Sequence, residues 1–494
     1  MEQKADIAGH IKSLLKKNWH EVFVVDGFNG RTLRYSDFFH CILNGRDQLE
    51  KSGLKEKDAV IFFEPNSLEL VILYFSSLLL GLVIVPVDKN RGENEIKDII
   101  SLINYKKTIC SGPKNPLFDN YLDLTEIKKA LYEKRNESIK SLDIFNSVDY
   151  ENTFLIAMTS GSVGKPKGVL HSFNNLAKSA LAFSRVFHFG PKNIFYHNLS
   201  MAYMAGILNL IFLPFLCGGR LIIGEQFNIS SILRFWELPI KYSVNTFCFI
   251  PSILSLLLKV DRGKEGINYA LQRGIVGCVA TAPLNVRTKK FFEEKYNIPL
   301  FETYGLSELL FVSANSPGKK LEGSVGQLLD GVKVSFTEEE ELLIDVPWRF
   351  SGYLNEKTED YFYGEKYRSG DIGYLNEDRF LTINGRKKDI IIRGGVNINP
   401  EKVEKFIASN NVFEDQVILG LDDSILGEKT VCFFVLEDKT FVEDIKKNLN
   451  KEIIKKLGRD YYVDEFVPID NLPKNINEKV DKLTLRRFME TSKN

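Results

Sequence analysis

Six cysteines among 494 residues are few, and Cys41, Cys110, Cys217, Cys248, Cys278 and Cys432 each stand alone. That scatter excludes the paired spacing of a zinc site and the density of a disulfide scaffold, and it suits a reducing cytoplasm. Net charge is missing as well. Lys+Arg and Asp+Glu each total 65, so no global field draws nucleic acid or an anionic membrane to the chain. Any nucleotide chemistry has to be local. The opening "MEQKADIAGHIKSLLKKNW" has no long apolar core and no small-residue cleavage site, so a secretory signal is not expected. Internal repeats and low-complexity tracts are absent. Long apolar runs are scarce, and the exception is "LVILYFSSLLLGLVIVPV", Leu70 to Val87, which has no charged residue and reaches the lower edge of a membrane span. Gly81 and Pro86 divide it. This punctuation favours a buried helix to Leu80, a Gly81 cap and a short buried strand running into Asp88 over a membrane span.

What is present is ordinary globular composition, 44% hydrophobic and 26% charged, in a chain long enough for about two to four domains. "YSDFFHCILNGRDQLEKSG" reads as a helix, "DAVIFFEPN" as a strand, and the block from Leu68 to Val87 as another helix and strand, an alternation expected of layered α/β structure with largely parallel sheets. Between Gly323 and Phe380 the pattern changes to short strands with turn residues, predicting a β-rich subdomain over about 323–386. After "NGRKKDIIIRGG" it changes again, to an α+β unit. There Asn399 caps a helix with Pro400 in its first turn, "TVCFFVLED" is a strand, and "VEDIKKNLNKEIIKKLG" carries Ile445, Leu449, Ile453 and Leu457 on one stripe. The expected architecture is a large N-terminal α/β domain, 1–386, followed by a small mobile α+β domain, 387–494.

"MTSGSVGKPKGVLHS" concentrates glycines, hydroxyls and lysines in one turn after an apolar strand, an arrangement that aims backbone N–H groups and positive charge at an anion. It is not the ordinary nucleotide-binding P-loop, because Thr159 stands where the first glycine belongs and Pro166 follows Lys165. A solvated hairpin is the competing reading. "YGLSE", Tyr304 to Glu308, offers a ring for a base, a hydroxyl for a phosphoryl group and a carboxylate for Mg²⁺. "SGDIGYL" offers Asp371, suited to ribose hydroxyls or to stabilising a turn.

The ordered set "TSGSVGKPKGV", "YGLSE", "YRSGDIGYLNEDRFLTI", "GRKKDIIIRGGVNINPEKVE" and "LPKNINEKVDKLTLRR" resembles the ATP-dependent adenylate-forming superfamily of acyl-CoA synthetases, nonribosomal peptide adenylation domains and firefly luciferase. The resemblance covers nearly the whole chain. It implies that Thr159, Ser160, Gly161, Ser162, Gly164, Lys165 and Lys167 hold the β- and γ-phosphates of ATP and that Glu308 binds magnesium. It implies further that Tyr304 and the turn from Ala280 to Pro283, through Thr281 and Ala282, sandwich the adenine, that Gly305 belongs to the ATP site, that Ser307 approaches the α-phosphate, and that Asp371 and Arg386 fix the ribose. Lys479 matches the adenylation lysine, with Lys474 and Lys482 as neighbouring competitors. Lys388 matches the hinge, and Gly394 and Gly395 match the wall of a thiol tunnel, although a plain β-turn explains two glycines equally well. Two residues depart from the pattern: Val163 replaces a threonine of the phosphate loop, and Glu478 replaces the glycine before the lysine.

By the same resemblance, "HNLSMAYMAGILNLIFLPFLCGG" is the acid-pocket region. It contains no acidic residue, and a buried ammonium without a partner is costly, so an α-amino acid is disfavoured. Tyr203, Met204, Gly206 and Phe247 are the expected pocket residues, with the bland reading of Met204 and Phe247 as core. The expected activity is ATP-dependent activation of an apolar or aryl carboxylic acid, followed by transfer to coenzyme A. The alternatives are loading of the phosphopantetheine of a separate carrier protein and a catalytically silent binding protein.

Overall fold

A computed structural model of the chain describes residues 6–112, 116–135, 137–160, 166–228, 230–410, 412–436, 442–475 and 479–491. Two large sheets make its main body. In a nine-stranded sheet, Leu300–Leu306, Val276–Val279, Thr246–Phe249, Ile194–His197, Arg220–Ile223 and Val22–Asp26 run parallel, with antiparallel strands at both edges. In a seven-stranded sheet, Thr153–Ser160, Val83–Pro86, Ala59–Phe62, Tyr105–Cys110 and Tyr121–Asp123 run parallel, and the antiparallel strand Pro166–Ser172 returns beside the first of these.

The first part of the chargeless run lies in a helix, Leu68–Leu80, buried from Leu68 to Leu79; Ser67 caps its start by accepting from the Leu70 amide, and Gly81 ends it at φ 70°. Val83–Pro86 follows as a strand. Gly81 is needed there because the left-handed conformation costs a residue with a Cβ about 1–2 kcal/mol. The helix belongs to one core shared by both sheets. Phe75 sits 4.6 Å from Phe215 and 5.3 Å from both Phe38 and Phe212, ring centre to ring centre. Removing such a fully buried ring costs about 3–5 kcal/mol. No helix among the described residues is long and apolar enough to cross a membrane.

The β-rich texture divides between sheets. A five-stranded antiparallel sheet spans Lys333 to Arg386, whereas Gln327–Leu328 joins the edge of the nine-stranded sheet and Gly352–Tyr353 pairs with Pro166–Ser172. The small C-terminal domain carries its own five-stranded sheet, from Ile391 to Pro468, with its own core around Val403, Ile407, Phe434 and Ile453. Asn399 caps the helix Pro400–Ser409 by accepting from the Glu401 amide. Leu449 and Ile453 are buried on the helix Val442–Leu457, and the Ile445 side chain lies outside the described residues.

Candidate active site

The phosphate-loop motif joins two antiparallel strands: Thr159 pairs with Lys167 and Ser160 with Pro166. Gly161, Ser162, Val163, Gly164 and Lys165 lie outside the described residues, as does Glu478. Lys167, expected as a phosphate ligand, donates to Glu356 Oε2 at 2.8 Å and to the Tyr361 hydroxyl.

"YGLSE" divides at Leu306. Tyr304 and Gly305 belong to the strand Leu300–Leu306, and only Ser307 begins the turn. Gly305 is required by contact, because a Cβ there would lie 2.1 Å from the Leu310 carbonyl oxygen. Three elements then converge on the turn. The Nε2 of buried His171 lies 2.6 Å from the Ser307 carbonyl oxygen, the Phe350 amide donates to the Glu308 carbonyl at 2.9 Å, and the Tyr353 hydroxyl donates to Glu308 Oε1 at 2.7 Å. Because the Ser307 carbonyl only accepts, Nε2 must carry the proton, and burial pushes the His171 pKa down to about 4.

Asp371 and Arg386 face each other across paired strands, with Nε to Oδ1 at 2.8 Å, and the Tyr304 hydroxyl donates to the other oxygen of Asp371. Asp371 is buried, and desolvation raises its pKa, opposed by Arg386, Tyr304 and Lys479. Ala280, Thr281 and Ala282 are half-buried after the strand Val276–Val279, and Thr281 holds φ 80°. A β-branched residue rarely adopts that conformation, so this turn stores strain of the kind that clusters at ligand sites.

Lys479 comes from the C-terminal domain to this same place. Its surface is exposed to water, with protein around it. That enclosure lowers its pKa, Arg386 and Lys388 lower it further, and Asp371 and Glu308 oppose them. Its competitors point elsewhere: Lys482 pairs with Asp389 at 2.7 Å, and Lys474 lies in the field of Asp415. Lys388 is exposed between the strand that ends at Arg386 and the C-terminal sheet, and its charge reaches Lys479. A carboxylate, a guanidinium, a phenol and an ammonium thus come together, a set of groups suited to a nucleotide and to the charge of phosphoryl transfer. Residues 14–354 match the model of the AMP-binding enzyme family, and residues 402–479 match that of its C-terminal domain.

The chain belongs to the AMP-binding enzyme family. It is 24% identical over 466 residues to the 2-succinylbenzoate–CoA ligase of Listeria innocua, covering 93% of this chain and 95% of that one. It is 22% identical to the medium-chain fatty-acid–CoA ligase of Escherichia coli, covering 98% and 90%. Its fold superposes on ATP-bound MatB from Rhodopseudomonas palustris with a TM-score of 0.83 at 21% identity, covering 98% and 99%. It superposes on the o-succinylbenzoate CoA synthetase of Bacillus subtilis in complex with its acyl-adenylate at 0.79 and 20% identity, covering 97% of each.

In this AMP-binding enzyme the acid-pocket residues separate. Tyr203 and Met204 are half-buried, but Phe247 lies in the aromatic core, its ring 5.2 Å from Phe249 and 5.9 Å from Phe235 and Trp236. Gly206 is needed for packing, because a Cβ would meet the Ser200 carbonyl oxygen at 1.9 Å. Asp88 enters the region from the seven-stranded sheet, but its carboxylate already accepts from Ser200, Gln226 and the Asn90 amide. Gly394 and Gly395 form the two-residue turn between Ile391–Arg393 and Val396–Ile398 at φ 58° and 83°, with no other residue's atom closer to either missing Cβ than Leu426 at 4.0 Å. The hairpin conformation alone explains both glycines.

Among the described residues no group of three or more His, Cys, Asp or Glu could hold a metal. One carboxylate is still the donor set a nucleotide-borne magnesium needs, since that ion takes most of its ligands from phosphate and water. Sequence reasoning missed His171, Tyr353, Tyr367, Glu356 and Tyr361. The available signal was four tyrosines between 353 and 367, dense for a surface loop.

Proposed function

We propose that this enzyme uses ATP to convert an apolar or aryl carboxylic acid into its acyl-adenylate, releasing pyrophosphate, and then passes the acyl group to the thiol of coenzyme A. The observation that carries this reading is the buried Asp371 held by Arg386 at 2.8 Å and by the Tyr304 hydroxyl, with Lys479 of the C-terminal domain in its field. In the first step a carboxylate oxygen bonds to the α-phosphorus and the bond to pyrophosphate breaks. Lys479 would offset the repulsion between the carboxylate and the α-phosphate as they meet. Asp371, fixed by Arg386 and Tyr304, presents acceptors for ribose hydroxyls, and Ser307 reaches the α-phosphate. Glu308 would hold Mg²⁺, which neutralises phosphate charge when bound. The thiolate then attacks the acyl carbon, and AMP leaves.

The names of the relatives support an acid–CoA ligase. The choice of acid rests on the pocket stretch: no acidic residue lies in 197–219, so that stretch offers a substrate ammonium no partner. We place the hinge at Lys388 and the domain division at 386/387. ATP–pyrophosphate exchange across a panel of fatty, aryl and amino acids tests the first step. Adding coenzyme A, or a phosphopantetheinylated carrier protein, identifies the acceptor. Exchange with amino acids alone overturns the pocket reading, and exchange with no acid overturns the activity.

A further inference from the structure

Lys167 closes the phosphate hairpin, yet its charge is already taken. Its ammonium donates to Glu356 Oε2 at 2.8 Å and to the Tyr361 hydroxyl, which itself donates to the same Glu356 oxygen at 2.8 Å. The same nitrogen lies 4.5 Å from the ring centre of Tyr361 and 5.1 Å from that of Tyr353. A carboxylate, a phenol hydroxyl and the rings of two tyrosines surround one cation.

The arrangement is built rather than accidental. The Leu354 amide donates to the Gly168 carbonyl at 2.8 Å, and Asn355 Nδ2 donates to the Leu102 carbonyl at 3.0 Å, so the segment carrying Glu356 is fastened both to the strand Pro166–Ser172 and to the end of the helix Glu93–Leu102. Burial pulls the Lys167 pKa down, but Glu356 and Tyr361 outweigh it and hold it up, while the pairing keeps Glu356 below the ordinary carboxylate range.

A cation with its anion at contact distance presents a dipole, not a charge, to an incoming polyphosphate, and the dipole field falls off faster. Lys167 therefore attracts a triphosphate fully only by changing partners. We propose that Glu356 is an affinity-setting residue that competes with nucleotide polyphosphate for Lys167, so that ATP binding exchanges the carboxylate for a phosphate oxygen and pyrophosphate release reverses the exchange. The proposal rests on the reading of the 159–167 hairpin as the phosphate site. It adds a residue that touches neither adenine, ribose nor acid, and it assigns that residue a cost to binding with a benefit in product release.

The test is calorimetric titration of the full chain with MgATP and, separately, with magnesium pyrophosphate, so no acid substrate is needed. Glu356→Gln keeps the shape and removes the charge, and should tighten both ligands roughly threefold to tenfold, the scale of a partly exposed ion pair. Lys167→Gln should weaken both, and adding Glu356→Gln to it should restore nothing, because the competitor has no cation left to hold. Glu359→Gln removes the same charge from the same exposed segment and should leave both affinities within about twofold. Weaker binding by Glu356→Gln would make the pair a clamp on the hairpin and overturn the proposal. Unchanged binding overturns it too, and equal tightening by Glu359→Gln reduces it to surface charge. Failure of the unaltered protein to bind either ligand removes the phosphate-site reading beneath it.

Discussion

Tyr353 hydrogen-bonds the Glu308 carboxylate at 2.7 Å while its oxygen lies 2.8 Å from the hydroxyl of Tyr367. Tyr353 has one proton, so donating it to Glu308 obliges Tyr367 to donate to Tyr353. The relay holds the Glu308 carboxylate through Oε1 and so limits the rotamers in which it can meet a cation. Tyr353→Phe keeps the ring beside Phe350 and Tyr361 and removes the relay. It should raise the Mg²⁺ concentration needed for half-maximal pyrophosphate exchange by about tenfold, the scale of one hydrogen bond to a charged group. A Mg²⁺ titration of both proteins checks this, and an unchanged midpoint would show that Glu308 needs no such support.

Lys479→Ala should lose about 3 kcal/mol of transition-state stabilisation, roughly a hundredfold, in pyrophosphate exchange. Thioester formation from supplied acyl-adenylate should survive. The pH profile carries a second signature. The Lys479 pKa is lowered by enclosure and by Arg386, so the ammonium loses its proton below the usual lysine range, and exchange should fall as pH rises through that lowered value. Lys479→Arg, which stays charged, should remove the alkaline fall. Parallel loss of both half-reactions in Lys479→Ala would place the residue in general support of the site.

The legible parts of the site were those carried by local motifs. Tyr304, Asp371, Arg386 and Lys479 each sit in a short stretch whose residue types already suggest phosphate or ribose chemistry, and the helix and strand on either side of Gly81 follow from composition and a cap. Tyr353 could not be read this way. Its role depends on Val169 facing Tyr353 in a strand pair, and nothing local in "SGYLNE" tells which sheet it joins. His171 acts through the same long-range register. Phe247 was ambiguous because an apolar strand buried on both faces does not show which face meets a pocket. The helix after Tyr203 was illegible for a related reason: Ala205–Phe212 is buried throughout and π-helical, so it has no polar face to set its phase.

His171 and His197 are fully buried, and burial pushes both pKa values from 6.5 to about 4. In that interval the unfolded chain takes up protons that the native ring refuses, so stability is complete above pH 6.5 and is lost as pH falls toward 4. The slope is about 1.4 kcal/mol per pH unit for each histidine. His197→Gln, which still offers a donor to the Gly206 carbonyl that Nε2 now meets at 3.1 Å, should be less stable at pH 7. Its stability should nevertheless fall less steeply between pH 6.5 and 4.5. Urea midpoints at three pH values measure both quantities, and parallel slopes would assign the acid sensitivity to other groups.

Among the contacts between the C-terminal domain and the main body, two lie away from the hinge: Lys259 Nζ pairs with Glu414 at 2.7 Å, and Arg287 donates to the Phe413 carbonyl at 3.4 Å. If the domain must swing for thiol transfer, these contacts favour only the first half-reaction. The Lys259–Glu414 pair is half open to solvent, so its contribution is at most about 1 kcal/mol, or roughly fivefold in the balance between orientations. Lys259→Glu places two carboxylates together and should slow pyrophosphate exchange two- to fivefold, while transfer from supplied acyl-adenylate is unchanged or faster. Glu414→Lys should do the same, and the double exchange, which rebuilds the pair in reverse, should recover the original ratio of the two rates. An effect equal on both half-reactions, or no recovery in the double variant, would mean that these contacts do not bias the domain.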